Sequence, residues 1–226
     1  MSSDPDQSPG VHVMEYLMGI EPAMALTFDV VNKLLPSVAD LPERIKQLES
    51  FRFGLLKQAR RWSGVKRGGA LKEPFKHADE QAAQEIVSLN LRLRNARSEQ
   101  GAKCLDVNAA ASSIIFMAQH GIDVGKQHGP AAEGREVRPN YKLKNFIRLA
   151  RNHAAHYSET ISGKQIRERE DFQLAVLNYD QRTDGSFVNH SFKVLEILDW
   201  RSWDNVREDI LSLFDPTGES QKPDRT

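Results

Sequence analysis

YKLKNFIRLARNHAAHYSE, the stretch from Tyr141 to Glu159, decides how the rest of the chain is read. Advancing about 100° per residue along a helix places Leu143, Phe146, Ile147, Ala150, Ala154 and Tyr157 on one side, the apolar stripe of a core-facing helix. Asn145, Arg148, Asn152 and His156 fall opposite, flanked by Leu149 and Ala155, and no acid occurs on that face before Glu159. A face of cations and amides without carboxylates suits an anionic partner better than bulk water. Arg151 and His156, five positions apart, diverge by about 140° on an ideal helix. Only the long arginine stem, or a second copy of the helix, brings them together.

Within this helix, Arg151-Asn152-His153-Ala154-Ala155-His156 resembles the R-x(4–6)-H signature of the HEPN superfamily. Members of that superfamily are helical, commonly dimeric, and often endoribonucleases of toxin and defence systems. The resemblance implies a mainly α fold, a HEPN-like helical bundle, and a homodimer whose two-fold axis gathers two copies of the motif into one cleft. The residue types fit the chemistry, because RNA carries its own nucleophile in the 2′-hydroxyl beside the scissile phosphate. His156 is then the general acid or base. Arg151 holds the phosphate and stabilises its transition-state charge, and Asn152, one turn before His156, orients the imidazole or bonds the phosphate. The reaction calls for no metal and no cofactor, and the resemblance implies 2′,3′-cyclic phosphate and 5′-hydroxyl products. Some toxin members carry a tyrosine two places after the histidine, whereas here Tyr157 follows it directly and Ser158 holds that place. The same residues have a plainer role, since a cation in the last helical turn is favoured by the macrodipole. The expected function is a metal-independent endoribonuclease of toxin or antiviral-defence type. Its alternative is a catalytically inactive HEPN-like module that binds RNA, a nucleotide or a partner protein such as an antitoxin.

Working outward, 226 residues with 39% hydrophobic and 27% charged content suit one globular domain, read here as residues 11–215 between disordered tails at 1–10 and 216–226. Lysine plus arginine (31) balances aspartate plus glutamate (31), so any affinity for nucleic acid must come from local patches. The start lacks a basic n-region and the longest apolar run, about Ala109 to Ala118, is too short to cross a bilayer. With a single cysteine, Cys104, in an apolar helical stretch, a cytoplasmic protein without membrane contact is expected.

The pattern predicts helices over Ala23 to Leu35, with Leu26, Val30, Val31 and Leu34 as its stripe, and over Pro42 to Trp62. Two more are expected at Ala78–Ser98 and Ala102–Gln119, the latter stopped by His120-Gly121, then a long flexible connection over 121–138. Phe172–Leu177 and Phe187–Val194 flank Thr183-Asp184-Gly185-Ser186, which predicts a small C-terminal β-hairpin. The competing pattern continues the second arm as helix through Val194, Leu195 and Leu198. A final helix presents Trp203, Val206, Ile210, Leu213 and Phe214 on one stripe.

A second basic region, residues 51–76, sets eight cations against Glu73 with Phe51, Phe53 and Trp62 interleaved. Arg60, Arg61, Trp62, Lys66 and Arg67, with Lys144 and Arg148 of the motif helix, are the candidate RNA contacts. The plainer reading makes the same cations a solvated helix face and loop. By contrast, Glu196 to Asp215 holds six acids against two arginines, which repels RNA and suits a basic partner. His153 and His156 lack a third ligand nearby, so no metal is expected.

Overall fold

The structure, a computed structural model, describes residues 8–65, 73–156, 172, 175–176 and 189–215, with side chains for all of these except 59–65 and 73–79. Its elements are α1 (Pro9–Val65), α2 (Glu73–Lys126), β1 (Glu136–Arg138), β2 (Tyr141–Lys142), α3 (Leu143–His156), α4 (Ser191–Leu198) and α5 (Trp203–Ser212). The chain divides into two compact units: Lys33–Asp106, an arm, and Met1–Asn32 with Val107–Thr226, a bundle. Among the described residues no helix is long and apolar enough to cross a membrane.

The arm is built from the middle of α1 and the first part of α2. Leu41, Ile45 and Leu48 are buried on α1, and Ala82, Leu89, Leu93 and Ala96 on α2. Their spacing alternates between three and four residues, the heptad rhythm that keeps one stripe of a helix against its neighbour. Ile45, Leu48, Leu89, Leu93 and Ala96 form one cluster, with Leu55 packed on it. Glu49 accepts from Arg97 at 2.5 Å and Arg44 pairs with Glu99 at 3.6 Å. A later residue of α1 thus meets an earlier one of α2, so the two helices run antiparallel. Glu99 also accepts from Lys103 at 2.8 Å, and that hydrogen bond and charge hold its carboxyl below the ordinary glutamate range.

These long helices correct the shorter ones expected from the sequence. Pro36 and Pro42 stand inside α1, and Gly101 and Gly121 inside α2. A proline costs about 3 kcal/mol inside a helix and a glycine about 1. The apolar stripe keeps its three-and-four spacing on both sides of each breaker, and burying all of it offsets those local costs. Leu26 and Val30, read as core, are 65% and 40% exposed; Val31 of the same expected stripe is buried, together with Met24 and Phe28.

In the bundle, α1 contributes Val13, Leu17 and Met24, and α2 contributes Ala111, Ile114, Ile115 and Ile122. The expected stop at Gly121 is a close approach. A Cβ on Gly125, one turn further, would lie 2.3 Å from Phe214 Cζ and 2.5 Å from Val13 Cγ2, so only glycine lets the final segment reach α2. The connection after α2 is consequently shorter than 121–138.

The β1–β2 hairpin pairs Glu136 with Lys142 and Arg138 with Tyr141 in antiparallel register. Pro139 and Asn140 make its turn, Asn140 taking the left-handed φ of 70° that asparagine tolerates. The chain then enters α3 directly, the Leu143 and Lys144 amides donating to the Arg135 and Glu133 carbonyls at 2.9 and 3.2 Å. A small hairpin therefore exists, but before the motif helix. Where one was expected further on, the described residues Phe172, Ala175, Val176 and Ser191–Val194 are helical, and Val194, Leu195 and Leu198 are buried on α4 as helical spacing requires. The final helix, read as Trp203 to Phe214, forms over Trp203–Ser212, and all five stripe residues are buried, Leu213 and Phe214 just past its end.

Two polar devices lock the bundle. Arg135 donates to both Asp209 oxygens at 3.1 and 2.7 Å and to the Leu198 carbonyl at 2.7 Å, while Trp200 Nε1 donates to Asp209 at 2.8 Å. One acid of the Glu196–Asp215 segment is thus spent on a buried internal partner. At the start of α4, Asn189 Oδ1 accepts from the Ser191 amide at 3.0 Å and Asn108 Oδ1 from the Phe192 amide at 3.0 Å. Ser112 Oγ lies 2.8 Å from Ser191 Oγ and accepts from Asn189 Nδ2 at 3.1 Å.

Candidate functional site

The site forms because α3 is amphipathic in the expected way. Leu143, Phe146, Ile147, Ala150 and Ala154 are buried with Leu149 and His153. Tyr157 and Ser158 lie outside the described residues. Opposite the core, Arg148, Arg151 and His156 are exposed, and Lys144, Asn145 and Asn152 are half-buried. At about 100° per residue, Lys144, Arg148 and Arg151 fall within roughly 60° of one another. They form a cationic stripe, with Asn152 beside it and His156 at its far edge.

Arg151 is held in place. Its guanidinium lies 5.5 Å from the Phe116 ring centroid, a cation–π contact, and its Nη1 donates to Asn152 Oδ1 at 3.2 Å. Arginine and asparagine of the motif are therefore brought together, while His156 stands about 140° around the axis from Arg151. Arg148 donates through Nε and Nη2 to Asn145 Oδ1 at 3.2 and 2.9 Å. Lys144 donates to the Ala131 carbonyl at 3.0 Å and pairs with Glu133.

Where α3 begins, the structure opens a cleft of about 290 Å³. Four cations line it, Lys126, Lys142, Lys144 and Arg148, with two amides, Asn140 and Asn145, and one carboxylate, Glu133. Two of the expected RNA contacts, Lys144 and Arg148, thus share a concavity. Lys126 and Asn140 join from the end of α2 and the hairpin turn, which no periodicity in the sequence could bring next to α3. The other expected contacts lie on the arm: the side chains of Arg60, Arg61 and Trp62, and all of Lys66 and Arg67, are outside the described residues.

His153 and His156 separate rather than share a ligand. The His153 ring is 4% exposed, stacks on His190 with centroids 5.9 Å apart and planes at 6°, and leans on Phe172 at 5.7 Å. Burial pushes the His190 pKa below the ordinary histidine value, and among the described residues its buried Nε2 has no hydrogen-bond partner. His153, weighed in the sequence only as a metal-ligand partner for His156, sits within the core arc of α3. Among the described residues no three His, Cys, Asp or Glu side chains gather closely enough to hold a metal ion. Comparison of the chain with family models, characterised proteins and solved structures finds no match.

Proposed function

We propose that this chain binds RNA along the exposed face of α3 and cleaves it without a metal, as an endoribonuclease of toxin or antiviral-defence type acting in the cytoplasm. The observation that supports this most is the stripe of Lys144, Arg148 and Arg151, to which α3 itself contributes no acid, with Asn152 and His156 beside it, on one face of a helix whose other face is core. The stripe tracks phosphates, and Arg151, steadied by Phe116 and Asn152, presents a fixed cation to the scissile one. His156 moves protons to and from the 2′-hydroxyl and the leaving oxygen. Because Arg151 and His156 diverge on one helix, a second copy of α3 supplies the complementary residue, making the working unit a homodimer.

The test is incubation of wild type, Arg151→Ala and His156→Ala with total RNA in EDTA, with end-group analysis of fragments and sedimentation to give the oligomer. Cleavage by the wild-type dimer alone, leaving cyclic phosphate ends, is the expected result. Intact RNA from a folded dimer overturns it. The same divergence of Arg151 and His156 also favours a second reading, a non-catalytic module binding RNA or a partner protein such as an antitoxin. That module keeps its RNA affinity in His156→Ala.

A further inference from the structure

The part of α1 that belongs to the bundle is apolar on both sides. Val13, Leu17, Met24, Phe28 and Val31 are buried, yet Val11, Met14, Met18 and Leu26 are exposed, Met18 and Leu26 at 64% and 65%. At about 100° per residue these four share an arc of about 120°, turned away from the buried set. Val30, also exposed, stands at the edge of that arc. A single exposed apolar side chain is ordinary, but several along one helix mark a surface that meets a partner. Two of the four are methionines, whose unbranched chains adapt to differing shapes.

Charge decides what that partner is. Between Ser8 and Asn32 the chain holds Glu15, Glu21 and Asp29 and no lysine or arginine. All three acids are exposed, and they lie on the apolar arc or at its margin. Glu15 is 3.9 Å from His12, while Glu21 and Asp29 are in no ion pair among the described residues. The first cation of α1 is Lys33, about 10 Å of helix beyond Leu26. Such a face repels nucleic acid and an anionic bilayer, and helices that lie on membranes carry Lys and Arg on their polar side. A second copy of the same face would set acid against acid. A helix whose own apolar stripe is bordered by lysines or arginines matches both the apolar arc and the acids. From Val11 to Leu26 the arc runs about 22 Å, the length of about four turns of such a helix.

We infer that this face of α1 docks a basic amphipathic helix of another protein. Apolar anchors of that helix sit among Met14, Met18 and Leu26, and its cations meet Glu21 and Asp29. The inference does not depend on any reaction at α3.

The test is fluorescence anisotropy of the full-length chain with a labelled helical peptide of about five turns, leucines along one stripe and lysines elsewhere. The peptide binds, and more weakly as salt is raised. The same peptide with glutamates for lysines, or with its leucines dispersed around the helix, does not bind. Met18→Ser with Leu26→Ser weakens binding at least about tenfold, as does Glu21→Lys with Asp29→Lys. Glu43→Lys with Asp204→Lys, the same change of charge at exposed positions elsewhere, leaves it unaltered. All these positions are exposed, and thermal melts by circular dichroism verify that each variant folds. Absence of binding overturns the inference, as does equal binding of the lysine and glutamate peptides or an equal loss in the Glu43 and Asp204 variant. Self-association of the wild-type chain that Met18→Ser with Leu26→Ser abolishes gives the face to a second copy, and likewise overturns it.

Discussion

The arm and the bundle solve the same problem, burying the apolar stripe of a long helix, by different means. In the arm one stripe meets one stripe, and the polar contacts across it, Arg97–Glu49 and Arg44–Glu99, are exposed. In the bundle several short elements close over the ends of α1 and α2, and the polar contacts are buried and multiple: Asp209 is held by Arg135 and Trp200, and Ser112 by Asn189 and Ser191. Ion pairs in water contribute little, whereas buried ones become costly once half of the pair is removed. The two regions therefore respond in opposite ways to similar changes.

The largest difference comes from Asp209→Ala, which takes the acceptor from the buried Trp200 indole and leaves Arg135, a cation, with the Leu198 carbonyl but no carboxylate. Chemical denaturation should show a loss of about 3–5 kcal/mol, with Trp200 and Trp203 fluorescence reporting the bundle once Trp62 is replaced by phenylalanine. Next is Gly125→Ala, whose Cβ would fall within 2.5 Å of Phe214 and Val13. Overpacking there should cost about 1–3 kcal/mol. The same substitution at Gly101 in the arm meets nothing within 4 Å and should stabilise by about 1 kcal/mol. If both glycine changes move stability in one direction, the contrast between the regions fails.

Acidification should act on the bundle through His190, whose pKa is lowered by burial in the folded state. Both states are neutral well above pH about 6.5, so the group has no effect there. As the pH falls from that value towards the folded one, the unfolded chain takes up a proton that the fold refuses, and stability declines. His190→Gln should flatten that slope in denaturation curves recorded between pH 7.5 and 5.5, values chosen to bracket about 6.5. The smallest effect is Glu49→Ala, which removes an exposed partner of Arg97 and should shift the arm by less than about 1 kcal/mol, read by amide hydrogen exchange of residues 41–55.

Strongly amphipathic elements were legible in the sequence. The motif helix and the final helix follow from their stripes because an apolar arc with a clean polar complement has one buried orientation. Pro36, Pro42, Gly101 and Gly121 read as boundaries because local breakers are easier to see than a register that runs past them. The phase at Leu26 and Val30 was misjudged for the same reason: four apolar residues within ten have more than one arc, and only the longer rhythm through Leu17, Met24 and Val31 selects the buried one. At the site, Lys144, Arg148, Arg151 and Asn152 were legible from the helix alone. The cleft was not, because Lys126 and Asn140 reach it only through the turn of the chain between α2 and α3. Nor was the pairing of Arg135 with Asp209, 74 residues apart, since no periodicity links positions so distant.

The three-and-four spacing in the arm also constrains how its length can change. Inserting one residue in α1 between Leu41 and Ile45 would rotate everything beyond it by about 100° and advance it by about 1.5 Å, turning Ile45 and Leu48 away from Leu93 and Ala96. Adding or removing seven residues in both helices at matching levels restores the phase. Tolerated length variants of the arm should accordingly come in steps of two whole turns, taken in both helices together.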